Sequence, residues 1–224
     1  MFERREIVLD CETTGLKFND GDRIVEIGAV ELFDKIPTGR EFHVYINPDK
    51  RMDDIVINIH GITNEFLLDK PRFKDIHLEL LDFLEGSVLV AHNAIFDVSF
   101  INKELERIGL QPLLNEVIDT LTIARKLFYA GNSLDNLCKR YKVDNLHRKK
   151  HGALIDAKLL AKIYFFLDEE YNSLTAKDLY MQKEEEIKDL FLDKFPHRED
   201  LCVLTEKELN IHLEFVGKNF KSNS

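Results

Sequence analysis

Cysteine is scarce in this chain: Cys11, Cys138 and Cys202 stand alone among 224 residues, widely spaced and odd in number. That excludes a disulfide framework and a paired-cysteine zinc motif, and it points to a reducing, cytoplasmic setting. Long apolar runs are missing as well, so no stretch approaches the length needed to span a membrane. The opening residues include Glu3, Arg4, Arg5 and Glu6, so no secretory signal is expected. There is no internal repeat and no low-complexity tract. Positive charge is in short supply: 31 Lys and Arg face 41 Asp and Glu, for a formal net charge of −10. A protein that grips nucleic acid over a broad surface needs clustered cations at the phosphates, so that class is disfavoured. An enzyme touching only a few terminal nucleotides is not excluded, because net charge describes the surface at large. What is present, 44% hydrophobic and 32% charged residues, is an ordinary globular composition. It suffices for one good-sized domain and a smaller appendage.

Strand-forming Ile7, Val8 and Leu9 run into Asp10, Cys11 and Glu12, and the chain turns at Thr14-Gly15. Side chains alternate along a strand, which puts Asp10 and Glu12 on one face and Cys11 on the other. Two carboxylates at the end of a buried strand repel each other and need a cation, a proton or a basic partner. Residues 23–32 and 41–47 read as the second and third strands, and their short connections favour an antiparallel meander. A turn at residues 60–63, with Thr63 as cap, leads to a helix over about 74–85 closed by Gly86. The continuous apolar run at 88–91 reads as a strand buried on both faces. A helix follows over about 94–107, then a short strand at Val117-Ile118. Asp119 is expected to cap a helix over 120–128, and Ser133 another reaching Tyr141. The last long helix is expected from Gly152 to about Glu169. Three strands followed by alternating strand and helix give an α/β fold, a mixed sheet with flanking helices.

Two further stretches carry chemistry. In His92-Asn93-Ala94-Ile95-Phe96-Asp97, the aspartate lies about one turn into the helix that leaves the buried strand. In His151-Gly152-Ala153-Leu154-Ile155-Asp156, a loop histidine precedes an aspartate in a helix's opening turns. An aspartate near a helix N-terminus alone is ordinarily a dipole or capping residue. Together the three stretches supply four carboxylates and one histidine, all at element ends. Carboxylate oxygens suit hard cations such as Mg²⁺ or Mn²⁺. Two such ions roughly 3.5–4 Å apart are the usual arrangement for hydrolysing a phosphodiester. A neutral histidine outside the metal shell could take a proton from water.

This combination resembles the DEDDh branch of the DnaQ-like 3′→5′ exonucleases and, within it, the epsilon proofreading subunits of bacterial DNA polymerase III. The matching stretches are residues 7–15, 24–30, 42–45, 90–100 and 151–157. Phe66-Leu67-Leu68-Asp69-Lys70-Pro71 and Asn132-Ser133-Leu134-Asp135 are similar to the epsilon subunits in particular. The resemblance implies a ribonuclease-H-like sheet, an antiparallel three-strand meander followed by parallel strands. It implies a metal-dependent 3′→5′ exodeoxyribonuclease that releases nucleoside 5′-monophosphates. Asp10, Glu12, Asp97 and Asp156 are then the ligands of two divalent ions, Mg²⁺ or Mn²⁺, with Glu12 also near the attacking water and His151 the general base. Thr13 and Leu16 would approach the terminal nucleotide of a single-stranded DNA 3′ end, and His60, His92 and Asn93 would line its pocket. Lys139, Arg140, Lys142, Arg148, Lys149 and Lys150 either guide the phosphate backbone or form a solvated loop. Alternatives from the same residue set are a 3′ exonuclease acting on RNA or in repair, and a non-catalytic module bracing a polymerase.

The nuclease domain is expected over residues 1–171. Residues 172–200 read as a charged linker or helix, and 201–224 as a small C-terminal tail. In the epsilon family such a tail binds the polymerase (alpha) subunit, and residues 201–216 share its pattern: a short apolar run, then a helix opened by the capping box Thr205-Glu206-Lys207-Glu208. Residues 171–176 stand where that family carries a sliding-clamp segment. They lack its leading glutamine and closing aromatic, which counts against clamp binding.

Overall fold

A computed structural model describes residues 4–145 and 150–194, with side chains as far as residue 185. Arg148 and Lys149, and everything expected of residues 201–224, lie outside the described residues. Strand β1 (Arg5–Thr13) is the middle of a five-stranded sheet. After a 3-10 turn (Phe18–Asp20), β2 (Ile24–Phe33) and β3 (Ile36–Tyr45) complete an antiparallel meander. Next come α1 (Asp54–His60), α2 (Asn64–Leu67), α3 (Phe73–Leu84), β4 (Val88–Ala91) and α4 (Ala94–Arg107). The chain continues with β5 (Val117–Asp119), α5 (Thr120–Leu127), α6 (Leu134–Tyr141) and α7 (Ala153–Lys194). The strand order is β3-β2-β1-β4-β5, with β4 parallel to β1 and β5 parallel to β4. The α/β class and the meander-then-parallel sheet therefore hold.

Three elements differ from their sequence reading. β3 begins at Ile36 rather than Glu41 and ends at Tyr45 rather than Asn47. Its first half is an exposed sheet edge with no apolar alternation, and it is set by the hairpin turn at Asp34 and Lys35. Both turn residues have positive φ, 48° and 66°, the two-residue geometry whose twist suits a hairpin. Helix α1 has no counterpart in the sequence reading, because Ile55, Val56, Ile57 and Ile59 are β-branched and poor helix formers. It forms because Val56 and Ile57 pack on Val25, Met52, Ile62 and Leu67. Gly61 closes it in the left-handed region at φ 81°. Lastly, α7 runs to Lys194 instead of stopping near Glu169. No proline or glycine interrupts it, so the 171–176 segment and the charged stretch as far as Lys194 are helical. The chain divides into two compact units, Met1–Leu174 and Thr175–Ser224.

The two faces of β1 sort its residues as a strand must. Ile7, Leu9 and Cys11 pack with Leu80, Leu84, Phe100, Ile101 and Leu105 of α3 and α4. Val8 packs with Val30, Leu32, Val90 and with Leu160, Ala161 and Tyr164 of α7. Each large side chain buried this way contributes roughly 2 kcal/mol, so α7 is held on the sheet mainly by its apolar stripe. The sorting also sends Asp10 and Glu12 to the α7 side.

Candidate active site

The site forms where β1 outruns its neighbour. Strand β4 pairs with β1 only through Glu6, Ile7 and Val8, so the last residues of β1 are uncovered on that side. The Cys11 N–H there donates to Asp97 Oδ1 at 2.9 Å. Asp97 lies in the first turn of α4 and is 3% exposed. The chain enters α4 through Asn93, held in the left-handed region at φ 72°. The N–H groups of Asn93 and Ala94 donate to Asp119 Oδ1 at 2.9 and 3.3 Å, and Leu121 N–H, at 3.0 Å, makes the same oxygen the cap of α5. The far end of α4 is tied to the residue just before β2 by a bidentate ion pair between Arg23 and Glu104, at 2.6 and 2.7 Å. Asp97 is thus placed by both ends of its helix.

The second half of the site comes from β2 and α7. In the β1–β2 register Asp10 lies opposite Gly28 and Glu12 opposite Glu26. A Cβ on Gly28 would sit 2.1 Å from the Leu154 nitrogen, so only glycine lets the first turn of α7 settle on the sheet. The Ala153 N–H, left unbonded by the helix itself, donates to Glu26 Oε2 at 3.1 Å. This seating brings Glu12, His151 and Asp156 together, with one potential ligand atom from each lying within 4.8 Å of the others. His151 Nδ1 is 3.3 Å from Asp156 Oδ2. Asp156 is buried while the His151 ring is half exposed. The His151 N–H donates to the Ile59 carbonyl at 3.3 Å, which ties the loop to α1.

The electrostatics of the site are governed by burial and by acids lying close to one another. Burial foremost, helped by the charge of Asp119, pushes the Asp97 carboxyl up to about 7 against the pull of its backbone donors. Burial also pushes the Cys11 thiol well up, and the charges of Asp97, Asp10, Glu12 and Glu26 add to it. Four acids therefore converge on one point of the strand. A donor set of carboxylate oxygens, with one imidazole beside it, fits a hard divalent cation.

The remaining sequence-selected residues surround this cluster. Thr13 is buried and its hydroxyl donates to the Gly15 carbonyl at 2.6 Å. Leu16 is 80% exposed at the tip of that turn. Asp22 fastens the turn: Thr14 Oγ1 and the Lys17 N–H bond its carboxylate at 3.0 and 2.9 Å. His60 is buried at the end of α1, where its Nδ1 accepts from Ile62 N–H at 3.0 Å. Its Nε2 is buried with no hydrogen-bond partner among the described residues. Burial first, then the charges of Lys150 and His151, hold its pKa down. His92 has both ring nitrogens engaged inside the fold, with Thr120 Oγ1 at 3.0 Å and the Asn132 carbonyl at 2.8 Å. Its observed contacts brace the ends of β4 and α5 and the loop before α6. Asn93 is exposed at the mouth of α4. Cys11 and Cys138 are buried and neither is in a disulfide. Sequence reasoning passed over Glu26 and Gly28 as site residues, and it took Asp119 only as the cap of α5, not as the anchor of the α4 entry. The only signal was a glutamate and a glycine two apart inside a strand that otherwise reads as core.

Comparison with known proteins places this geometry. The RNase_T exonuclease family matches residues 7–164. The DNA polymerase III subunit epsilon of Buchnera aphidicola subsp. Baizongia pistaciae is 44% identical over 223 residues, covering 95% of this chain and 91% of that protein. The subunit of the same name from Rickettsia prowazekii is 45% identical over 227 residues, covering 97% and 98%. Among solved structures, exonuclease X in complex with 5′ overhanging duplex DNA superposes with a TM-score of 0.56 at 27% identity, over 74% of this chain and 92% of that one. The nuclease domain of 3'hExo, a DEDDh family member bound to rAMP, shares the fold at a TM-score of 0.63 and 18% identity, over 75% and 94%.

Proposed function

The chain belongs to the DNA polymerase III epsilon-subunit family of 3′→5′ proofreading exonucleases, and from that premise we propose how its acidic strand end hydrolyses the terminal phosphodiester of a DNA strand. The observation that carries the reading is the convergence of Glu12, His151 and Asp156 within 4.8 Å, beside an Asp97 bonded to the Cys11 amide. The family depends on divalent metal. Asp10, Glu12, Asp97 and Asp156 would hold two ions, Mg²⁺ or Mn²⁺, which when bound supply an activated water and charge stabilisation for the departing 3′ oxygen. His151 takes the proton of the attacking water. Asp156, facing Nδ1 at 3.3 Å, favours the tautomer with hydrogen on Nδ1 and leaves Nε2 as the basic nitrogen. Glu12 orients the same water. Leu16, exposed at the tip of the turn after Glu12, would offer an apolar contact to the terminal nucleotide with Thr13, and His60, His92 and Asn93 would line its pocket.

The substrate is a frayed, single-stranded DNA 3′ end, which needs no unpairing by the enzyme. That suits a surface of net charge −10, since a partner polymerase supplies the duplex contacts. Residues 1–171 form the catalytic domain, 172–200 the connecting segment, and 201–224 the segment that binds the polymerase alpha subunit. The helical 171–176 stretch lacks the features of a clamp-binding segment. No described helix is long and apolar enough to cross a membrane; kinship with replicative polymerase subunits supports a cytoplasmic location.

The test measures nucleoside 5′-monophosphate release from single-stranded DNA, RNA and mismatched primer ends, with Asp10→Ala as control. DNA and mismatched ends should be preferred and Asp10→Ala inert. Equal or faster turnover of RNA sinks the proofreading assignment. Co-purification with the polymerase subunit should be lost when residues 201–224 are deleted.

A further inference from the structure

We propose that Glu26 is a positioning residue for hydrolysis, a buried anchor that fixes both His151 and Asp156 by holding the first turn of α7 against the catalytic strand. The proposal rests on the site reading given above. Glu26 is 3% exposed in β2, an interior strand of the sheet. A carboxylate there is costly unless its oxygens are well occupied. Both are. Oε2 accepts from the Ala153 N–H at 3.1 Å, and Oε1 accepts from His43 Nε2 at 2.7 Å. Tyr45 faces it from the same edge strand, its phenol pushed up by burial and then by the Glu26 carboxylate.

The placement of this anchor is what gives it leverage. It lies opposite Glu12 in the strand register, and Ala153 is two residues after His151 and three before Asp156. Two residues along the same strand face, Gly28 admits the Leu154 backbone at a distance no side chain would allow. Glycine removes the obstacle and glutamate supplies the bond, so together they form the seat of α7. The apolar stripe at Leu160, Ile163 and Tyr164 fixes the body of the helix and Leu154 adds packing near its tip, where this bond sets the position of the first turn. His43, half-exposed at the sheet edge, holds the Glu26 carboxylate in the orientation that reaches Ala153. An acid beside other acids is a poor choice for mere packing, and an apolar residue would fill the space more cheaply.

The experiment compares full-length wild type with Glu26→Ala, Glu26→Gln and His43→Ala. It reads kcat and KM on a single-stranded oligonucleotide and, without substrate, the Mn²⁺ concentration that half-saturates the metal-induced rise in melting temperature. Glu26→Ala should lower kcat 30–300-fold in order of magnitude with KM changed little, and raise the Mn²⁺ half-saturation several-fold, because a displaced tip misplaces reacting groups and a ligand. Glu26→Gln keeps one accepting oxygen and should recover most of both, and His43→Ala should lie between. A folded Glu26→Ala with wild-type kcat and Mn²⁺ half-saturation overturns the proposal. So does a loss of kcat that leaves Mn²⁺ half-saturation unchanged and is not rescued by glutamine. If Glu26→Ala does not fold, Glu26→Gln and His43→Ala decide: both matching wild type in both readouts overturns it. An active Asp10→Ala would instead overturn the site reading on which the proposal stands.

Discussion

Replacing Asp97 by Asn should separate stability from activity in a way that depends on pH and metal. The isosteric amide keeps an oxygen to accept the Cys11 N–H, so the bond that pins α4 to β1 survives. What disappears is the buried charge. Asp97 has its carboxyl pushed from an ordinary 3.8 up to about 7, mainly by burial. At about 1.4 kcal/mol per tenfold change in proton affinity, the ionised form costs the metal-free fold roughly 4 kcal/mol as an upper bound. The sign follows from the raised value. The folded state binds the proton more tightly than the unfolded one, so the associated stability is fully present below pH 4. It drains away between about pH 4 and 7 and changes no further above that.

Metal-free wild type should therefore melt several degrees lower at pH 8 than at pH 5 through this group, at about 2–4 °C per kcal/mol for a domain of this size. Asp97→Asn should melt above wild type at pH 8, by about a third as much at pH 5, and near it below pH 4. Mn²⁺ should reverse the order, raising wild type and leaving the variant where it was. Cleavage by the variant should fall at least 100-fold. Melting followed by intrinsic fluorescence or calorimetry, with and without Mn²⁺ across this pH range, reads all of these. A variant no more stable than wild type at pH 8 without metal would refute the reasoning, since the buried charge would then carry no penalty.

Two further substitutions probe the other half of the site. His151→Ala should slow cleavage at neutral pH by two to four orders of magnitude, the typical worth of general-base catalysis, while the Mn²⁺-induced melting shift remains; near-full activity would remove the general-base assignment. Gly28→Val should destabilise the fold by about 1–3 kcal/mol through overpacking and abolish cleavage by lifting the tip of α7, as read by melting and nucleotide release. Retention of wild-type activity there would contradict the close approach seen at Leu154.

Much of the fold was legible because its elements advertise themselves. The apolar run at 88–91, the helix at 94–107 and the caps at Thr63, Asp119 and Ser133 have local causes, and local sequence reports local causes. The unreadable parts have causes far away in the chain. Helix α1 is built from β-branched residues that would suit a strand, and it becomes helical only against Val25 and Leu67. The first half of β3 is exposed and owes its strand form to pairing across a two-residue turn. At the site, the four acids and His151 stood out as residue types at element ends. Glu26 and Gly28 did not, since neither touches the chemistry and each looks ordinary without the helix that lands on it. His92 shows the converse: it stands among chemically suggestive neighbours, yet both of its ring nitrogens are used within the fold.

The seat of α7 also has a consequence in time. The bond from Ala153 to Glu26 joins residues 127 positions apart, so the site closes only when the last long helix of the catalytic unit comes back to its first strands. Contacts so distant in sequence form late, because the chain between them must be ordered first. During synthesis, the strand bearing Asp10 and Glu12 emerges well before His151 and Asp156 and has nothing to cut with until they arrive. Under the proposed assignment, a nascent chain is therefore a harmless nuclease until its catalytic unit is essentially complete.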